Sequence, residues 1–361
     1  MKPFIFKKLL PLLMIAAMLS VSLITANAEV IVSDGDYSYT YTSGAWELYA
    51  YNGTDAEITL PGTFNGSQVR TVGDRCFASS NLESVTIPNG YTSIGEFAFF
   101  ESEKLSEVKI PASVNEIGVG AFSKTGIESL DLSATKLSAV STVLCDGCAS
   151  LKSVLMPESV KTIGESAFSS SGITSIKIPG KVTSLAPRTF SNTAALKSIE
   201  LPQELVSIGE SCFEGSGISE INLPEGLTAI GASAFRNAGS LTELYIPNSV
   251  ESIGGYALYP MSVQSKIHVT CFKNSYADEY CYENFVQNTT AYDYLVGDAN
   301  LSGAVDISDV TLIQKYKAGL RNIDNPCAKI LCDANADDEI SVRDATIIQM
   351  YLADIIRELP V

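Results

Sequence analysis

The sequence predicts an α/β repeat solenoid of short strands, followed by a small all-α domain at the C-terminus. Two observations lead to this prediction. Apolar residues return in one pattern every 22 or 23 residues through the middle of the chain. Near the end, an acidic loop followed by a helical pattern is written twice, 35 residues apart. A fixed period of this length is typical of chains that stack one structural unit on the next.

The first 28 residues predict a secretory signal peptide. Three lysines precede the apolar run LLPLLMIAAMLSVSLI, and the small residues ANA occupy 26–28. A positive start, an apolar centre and a small-residue cleavage site are the marks of such a peptide. The alternative, a retained membrane anchor, is disfavoured because the run is shorter than the ~18 residues of a stable span. We therefore expect cleavage after Ala28 and a secreted, extracellular protein without a membrane span.

The charge and the single histidine exclude several functions. The chain has 24 basic and 41 acidic residues, and loss of the three leader lysines moves its formal charge from −17 to −20. A surface without a basic patch does not neutralise phosphates, so we expect no nucleic-acid binding. His268 is the only histidine and lies in the strand-like stretch KIHVTCF, which excludes two-histidine zinc sites.

The repeat follows L-x-x-V/L-x-I-P-x-x-V-x-x-I-G-x-x-A-F/L, as in 105–122 and 241–258. Its apolar residues are expected to face inward, and Pro111 to end a short strand because proline cannot donate to a sheet. Coils of this kind stack and share a core, and caps must cover the two ends. We expect an N-terminal cap hairpin at 29–60, the solenoid at 61–260 and a C-terminal cap at 261–290. The Ile-Gly pair or its equivalent begins at Val72, Ile94, Ile117, Val140, Ile163, Leu185, Ile208, Ile230 and Ile253.

The eight cysteines divide into two groups. The C-x-x-C spacing at 145–148 is found in redox and metal sites, but Cys145 falls in the phenylalanine slot of its repeat. We therefore expect it in the core, together with Cys76 and Cys212 in the alanine slot. The other group is expected nearer the surface, where disulfides are an open possibility in a secreted chain: Cys271 with Cys281, and Cys327 with Cys332.

The repeat resembles the BspA-like leucine-rich repeats of bacterial surface proteins over roughly residues 60–285. It departs from the commoner L-x-x-L-x-L-x-x-N pattern, because residues such as Ser113 and Ser159 stand at the asparagine position. The resemblance implies short strands stacked into a curved sheet and recognition of a protein or cell-surface ligand. Outward strand positions are mainly Ser, Thr, Glu and Lys, with Leu155 and Tyr245 as the bulky exceptions.

The doubled loop has the oxygen spacing of an EF-hand calcium loop. Side-chain oxygens fall at positions one, three, five, nine and twelve, and position seven offers its carbonyl. Aspartate replaces the usual glutamate at position twelve. Position six is Gly303 in the first loop and Asp338 in the second, and aspartate tolerates left-handed backbone better than most residues. The candidate ligands of two Ca²⁺ ions are Asp298, Asn300, Ser302, Ala304, Asp306 and Asp309, then Asp333, Asn335, Asp337, Glu339, Ser341 and Asp344.

One helix is expected after each loop and none before, because TTAYDYLV and NPCAKIL are short. Apolar residues at helical spacing are expected to pack these two helices together: Ile313, Tyr316 and Leu320 with Ile348, Tyr351 and Ile355. Paired loop-helix units without entering helices resemble the type I dockerin domain of cellulosomal proteins, and 291–361 is assigned to it. The resemblance implies a cohesin module of a scaffoldin as partner. The implied contacts, at positions ten and eleven and in the helix beyond, are Ile307, Ser308, Lys315, Val342, Arg343 and Met350.

The favoured function is a secreted, non-catalytic cellulosome component, since repeat positions occupy most of the chain and we find no catalytic residues. Its dockerin would dock onto a cohesin and present the repeat module to a protein or cell surface, in the context of polysaccharide degradation. One alternative is a glycoside hydrolase or peptidase with an unrecognised active site. Another is an adhesin for a host or fibre surface. The contact sets of the two dockerin copies differ in chemistry, which argues against interchangeable binding modes.

Overall fold

The computed structural model describes residues 30–259, 267–284, 286, 289–292 and 295–359. The predicted signal peptide lies outside these residues. The chain divides into two compact units, with the division between Val160 and Lys161. In the described ranges, no helix combines the length and the apolar character that crossing a membrane requires.

The first unit opens with an antiparallel hairpin and continues as coils of short parallel strands. Its strands are β1 (Val32–Asp34), β2 (Tyr37–Thr42), β3 (Ala45–Tyr51), β4 (Glu57–Thr59), β5 (Thr63–Phe64), β6 (Ser67–Val72), β7 (Ser84–Thr86), β8 (Ser93–Ile94), β9 (Glu107–Lys109), β10 (Glu116–Ile117), β11 (Ser129–Asp131), β12 (Ala139–Val140) and β13 (Ser153–Leu155). The hairpin joins the stack directly, because β3 pairs in parallel with β6. Two parallel sheets then run side by side, β6-β8-β10 and β4-β7-β9.

The second unit is built of coils of short parallel strands and ends in helices. Its elements are β14 (Thr162–Ile163), β15 (Ser175–Lys177), β16 (Ser184–Leu185), β17 (Ser198–Glu200), β18 (Ser207–Ile208), β19 (Ala229–Ile230), β20 (Glu243–Tyr245), β21 (Ser252–Ile253), β22 (His268–Phe272), α1 (Tyr276–Glu283), β23 (Thr289–Tyr292), α2 (Ile307–Lys317), α3 (Pro326–Cys332) and α4 (Val342–Leu352). One parallel sheet has the order β14-β16-β18-β19-β21, and another has the order β20-β22-β23. Strands stacked coil on coil, with all nine Ile-Gly positions buried, confirm the predicted solenoid.

Each coil returns through an arc of turns that is tied to the next coil by its backbone. The amides of Phe97, Phe99 and Glu101 donate to carbonyl oxygens of the following coil at 2.8, 2.9 and 3.1 Å. These bonds satisfy buried backbone groups that a turn alone would leave unpaired. A coil of different length would misalign them, so the period of the sequence is fixed by this hydrogen bonding.

The residue three positions after the Ile-Gly start has a positive φ in every coil. Only one of these residues is glycine, so the sequence pattern does not reveal the feature. Left-handed backbone is costly for other residues and persists where the surrounding structure imposes it. The nine residues are Arg75, Phe97, Gly120, Val143, Ser166, Arg188, Ser211, Ser233 and Tyr256, with φ between 48° and 61°.

A stack of buried phenylalanine rings runs along the inside of the arcs. Neighbouring rings are nearly parallel, with centroids 5.1 to 5.7 Å apart. In the first unit these rings are Phe77, Phe99 and Phe122, and in the second Phe168, Phe190, Phe213 and Phe235. Cys145 occupies the same slot and is fully buried, as predicted.

All eight cysteines are free and buried, so the expectation that four of them lie near the surface is wrong, and neither of the two disulfides left open by the sequence is formed. Cys327 and Cys332 belong to one short helix but contact different apolar clusters.

The expectation that no helix precedes the second loop is also wrong. Helix α3 leads straight into that loop and ends at Cys332. The side chain of Asn325 caps its start by accepting from the Ala328 amide at 3.3 Å. Pro326 stands at the first helical position, where a missing N–H has no cost. The Asn325 cap and the Pro326 start therefore favour a helix in a segment that the sequence analysis had judged too short to form one.

The helical spacing predicted that Leu320 and Ile355 help to pack α2 against α4. The structure shows that they do not. Both helices stop before these residues, and Gly319 and Asp354 follow with φ of 68° and 57°. The amides of Leu320 and Ile355 each reach back to a carbonyl five residues earlier at 2.9 Å, as in a Schellman motif. Each side chain is thereby turned into solvent. Ile313 and Ile348 are buried as predicted.

We expect Val143→Gly to stabilise the protein, because a β-branched residue at φ 48° is strained and Gly120 occupies the same slot one coil earlier. Relief of this strain should raise the free energy of unfolding by about 1 kcal/mol in chemical denaturation. Val119 is also half-buried but has no positive φ, so Val119→Gly should lower it by about 1 kcal/mol. Two equal losses would contradict the interpretation.

Candidate metal centre

Each acidic loop is closed by the aspartate at its position twelve. Asp309 is fully buried, and its two carboxylate oxygens accept from the amides of Asn300 at 3.0 Å and Asp306 at 2.8 Å. In the second loop, buried Asp344 accepts from Asn335 at 3.2 Å and from Ser341 at 2.7 Å. The shorter side chain of aspartate thus joins the start of each loop to the start of the following helix.

The aspartate at position one holds the middle of each loop. Asp298 accepts from the amides of Ser302 at 2.9 Å and Gly303 at 2.8 Å. Asp333 accepts from Asp337 at 3.1 Å and Asp338 at 2.8 Å. The aspartates at positions one and twelve therefore make the same backbone hydrogen bonds in both loops, although the loop sequences differ.

The aspartate at position six of the second loop adopts the backbone that glycine adopts in the first. Asp338 has φ of 63° and Gly303 has φ of 85°, as the sequence comparison predicted. Position four is also left-handed in both loops, at Leu301 and Ala336. No residue type at position four indicated this conformation in advance.

Position nine caps the following helix. The Asp306 side chain accepts from the Ser308 amide at 2.7 Å, and Ser341 accepts from the Arg343 amide at 3.1 Å. Hydrogen bonds from Ser308 lower the pKa of Asp306. Asp306 and Ser341 are therefore turned toward the helix N-termini, and their role as ligands stays a prediction.

The remaining candidate ligands lie on the exposed side of the loops. The Ser302 hydroxyl donates to the Ala304 carbonyl at 3.1 Å, and the Asn300 amide group donates to Ser308. In the second loop, Asn335 Nδ2 donates to Asp337 Oδ2 at 3.1 Å. Glu339, at position seven, lies 4.0 Å from Lys317.

The buried carboxylates fit a cation. Asp298, Asp309 and Asp344 are almost completely buried, and none of them takes part in a salt bridge found among the described residues. Buried negative charge is costly without a positive partner, and burial raises the pKa of Asp309. In the described ranges, no three acidic, histidine or cysteine side chains converge on one point.

The predicted partner residues are mostly exposed. Ile307, Ser308 and Lys315 are exposed in the first copy, and Val342 and Arg343 in the second, whereas Met350 is half-buried. Leu320 and Ile355 also lie at equivalent places in the two copies and are exposed. Sequence reasoning assigned these two to the core, although the Gly319 next to Leu320 is a helix-stop signal.

Comparison with known families agrees with both halves of the chain. The region described as BspA type leucine rich repeat matches in six copies, over residues 70–197 and 161–289. The chain belongs to the BspA-type leucine-rich-repeat family. Residues 296–353 match the type I dockerin domain, so the protein carries a repeat module and a C-terminal dockerin. Type I dockerins are calcium-binding domains, and their presence implies a cohesin as partner. A dockerin joined to a repeat module is typical of a cellulosome-type docking component.

Several solved structures are similar to this BspA-type protein. A T. pallidum leucine rich repeat protein is 25% identical, covers 58% of this chain and 90% of its own, and has a TM-score of 0.43. A leucine rich cell surface protein from Faecalibacterium prausnitzii A2-165 is 19% identical. The match covers 78% of this chain and 100% of that protein, with a TM-score of 0.43. A leucine-rich repeat protein from Bacteroides ovatus ATCC 8483 is 18% identical. The match covers 74% of this chain and 99% of that protein, with a TM-score of 0.41. No curated protein matches the chain.

We expect isothermal titration to show two calcium ions bound per chain. Asp298→Ala should remove one ion and Asp333→Ala the other, because each aspartate both holds its loop and offers oxygens to the cation. Asp324→Ala is the matched control, since Asp324 is exposed and outside both loops. Two ions retained in either loop variant would contradict the ligand assignment.

Proposed function

We propose that the protein is a secreted, non-catalytic cellulosome component. Its dockerin binds a scaffoldin cohesin when calcium is present and presents the repeat module to a protein or cell-surface partner, in the context of polysaccharide degradation. The observation that carries this proposal is a set of exposed apolar residues on the dockerin, repeated in both of its copies.

These apolar residues occur as two pairs, each separated by 35 residues. Ile307 and Val342 are 63% and 62% exposed at the starts of α2 and α4. Leu320 and Ile355 are 77% and 67% exposed just beyond the ends of the same helices. Large apolar side chains in repeated exposed positions favour an interaction surface over chance exposure.

Basic residues lie in or next to the two helices that carry these apolar residues, on a chain that is acidic as a whole. Lys315, Lys317 and Arg321 are exposed in the first copy, and Arg343 in the second. The protein as a whole has a net charge of −17. Complementary charge steers association and disfavours wrong partners. The cohesin surface that binds here should therefore be acidic around an apolar centre.

The two copies offer different contacts at equivalent positions. Ser308 corresponds to Arg343, and Lys315 corresponds to Met350. A partner that accepts one copy would meet different charge and volume after a half-turn of the dockerin. These differences support one preferred binding mode.

Ile307→Asp and Val342→Asp form a matched pair that tests the binding surface and its mode. Each places a carboxylate at the same position of one copy without touching the buried aspartates. With one preferred mode, one variant should bind cohesin at least ~100-fold more weakly and the other should change less than ~3-fold in isothermal titration.

Calcium removal tests the same proposal from the metal side. Wild-type protein in EDTA should lose cohesin binding, since the empty loops would no longer hold α2 and α4 in place. Binding that survives in EDTA, or two Asp variants that both bind normally, would contradict the proposed docking surface. Hydrolysis of a polysaccharide panel would instead favour a catalytic protein.

A further inference from the structure

Helix α3 of the dockerin has two buried faces. Ala328 and Cys332 contact the dockerin's own core cluster, which includes Ile313 and Ile348. Cys327 and Leu331, one position earlier along the helix, are also fully buried but contact Phe272 of β22. The second face therefore packs on the last coil of the solenoid.

The surface that receives α3 is the outward face of the terminal sheet. Tyr245 of β20 and Tyr292 of β23 are packed beside Phe272 in the same cluster. The equivalents of Tyr245 in earlier coils of the second unit, Lys177 and Glu200, are exposed. An outward position that is polar in the earlier coils of the second unit is thus aromatic where the dockerin covers it.

A polar contact accompanies these apolar ones. The Cys327 thiol donates to the Cys271 carbonyl at 3.8 Å. Burial raises the pKa of Cys327 to about 12, so the thiol keeps its proton and remains a donor.

The chain that leads into the dockerin is itself a strand of the solenoid. Strand β23 pairs in parallel with β22, and the Lys273 amide donates to the Tyr292 carbonyl at 2.6 Å. Side chains reinforce this pairing. The Nδ1 atom of His268 is hydrogen-bonded to the Glu243 carboxylate at 2.7 Å, and its Nε2 atom to the Thr290 hydroxyl at 2.8 Å. The only histidine therefore links three neighbouring strands.

The first calcium loop contacts this junction directly. Leu301, at position four of the loop, packs against both the dockerin core and the cluster at Phe272. The Gly297 amide, next to Asp298, donates to the Leu331 carbonyl at 2.8 Å. The conformation of the loop thus determines how Leu301 and α3 meet the solenoid.

We infer that the dockerin is the C-terminal cap of the solenoid, and that calcium in its first loop stabilises the last coil. A solenoid needs a cap because its final coil would otherwise expose apolar residues. A ligand that favours the docked dockerin favours the covered coil equally, and the covered coil strengthens calcium binding by the same factor. The inference rests on the calcium binding proposed above but not on cohesin.

Hydrogen exchange of the full-length protein, measured with calcium and with EDTA, tests this coupling. In wild-type protein, calcium should slow exchange of the β22 amides at least ~10-fold, because fewer openings expose them. Tyr245→Lys should reduce this effect below ~3-fold and weaken one calcium site in isothermal titration. Lysine is already present at the equivalent position 177, so the coil itself should tolerate it.

Tyr282→Lys is the matched control, since Tyr282 is exposed and should leave the calcium effect unchanged. Leu331→Ser tests the contact from the dockerin side and should also reduce the effect. Calcium binding without any change in β22 exchange would overturn this inference alone. A titration that detects no calcium binding would overturn it together with the proposed docking.

Discussion

Every coil of the solenoid depends on the next one to cover its apolar edge and to pair its backbone. Arc amides such as that of Phe99 donate to the following coil, and rings such as Phe99 and Phe122 stack across the same boundary. This dependence explains the constant period and the tolerance of left-handed residues in the arcs. It also means that the two ends of the stack need other parts of the chain to close them.

Two helices, α1 and α3, close the C-terminal end of the solenoid. The Tyr280 hydroxyl of α1 accepts a hydrogen bond from the Ala257 amide at 3.1 Å, which gives this backbone group of the last arc a partner. Helix α3 then covers Phe272 on the outward face of the terminal sheet. The dockerin that provides this helix buries three aspartates, which favours a bound cation. We propose that this short helix links metal binding and the shape of the dockerin to the end of the solenoid.

The sequence predicted the repeated features of this fold and missed those set by single local contacts. The apolar slots recur nine times, and the loop spacing recurs twice, so each had internal support. Helix α3 occurs once and depends on the Asn325 cap, which a length criterion overlooks. Leu320 and Ile355 fit a helical spacing, but the helices had already ended in Schellman turns. Helix ends are decided by a few hydrogen bonds that periodicity does not report.

Calcium in both loops is the claim on which docking and capping depend. A crystal structure of the full chain grown with calcium, with anomalous diffraction to locate the ions, tests it most directly. We predict one ion in each loop, within ~2.3 to 2.6 Å of carboxylate oxygens of Asp298 and Asp309 in the first and of Asp333 and Asp344 in the second. Loops that keep their conformation and hold no ion at saturating calcium would contradict it.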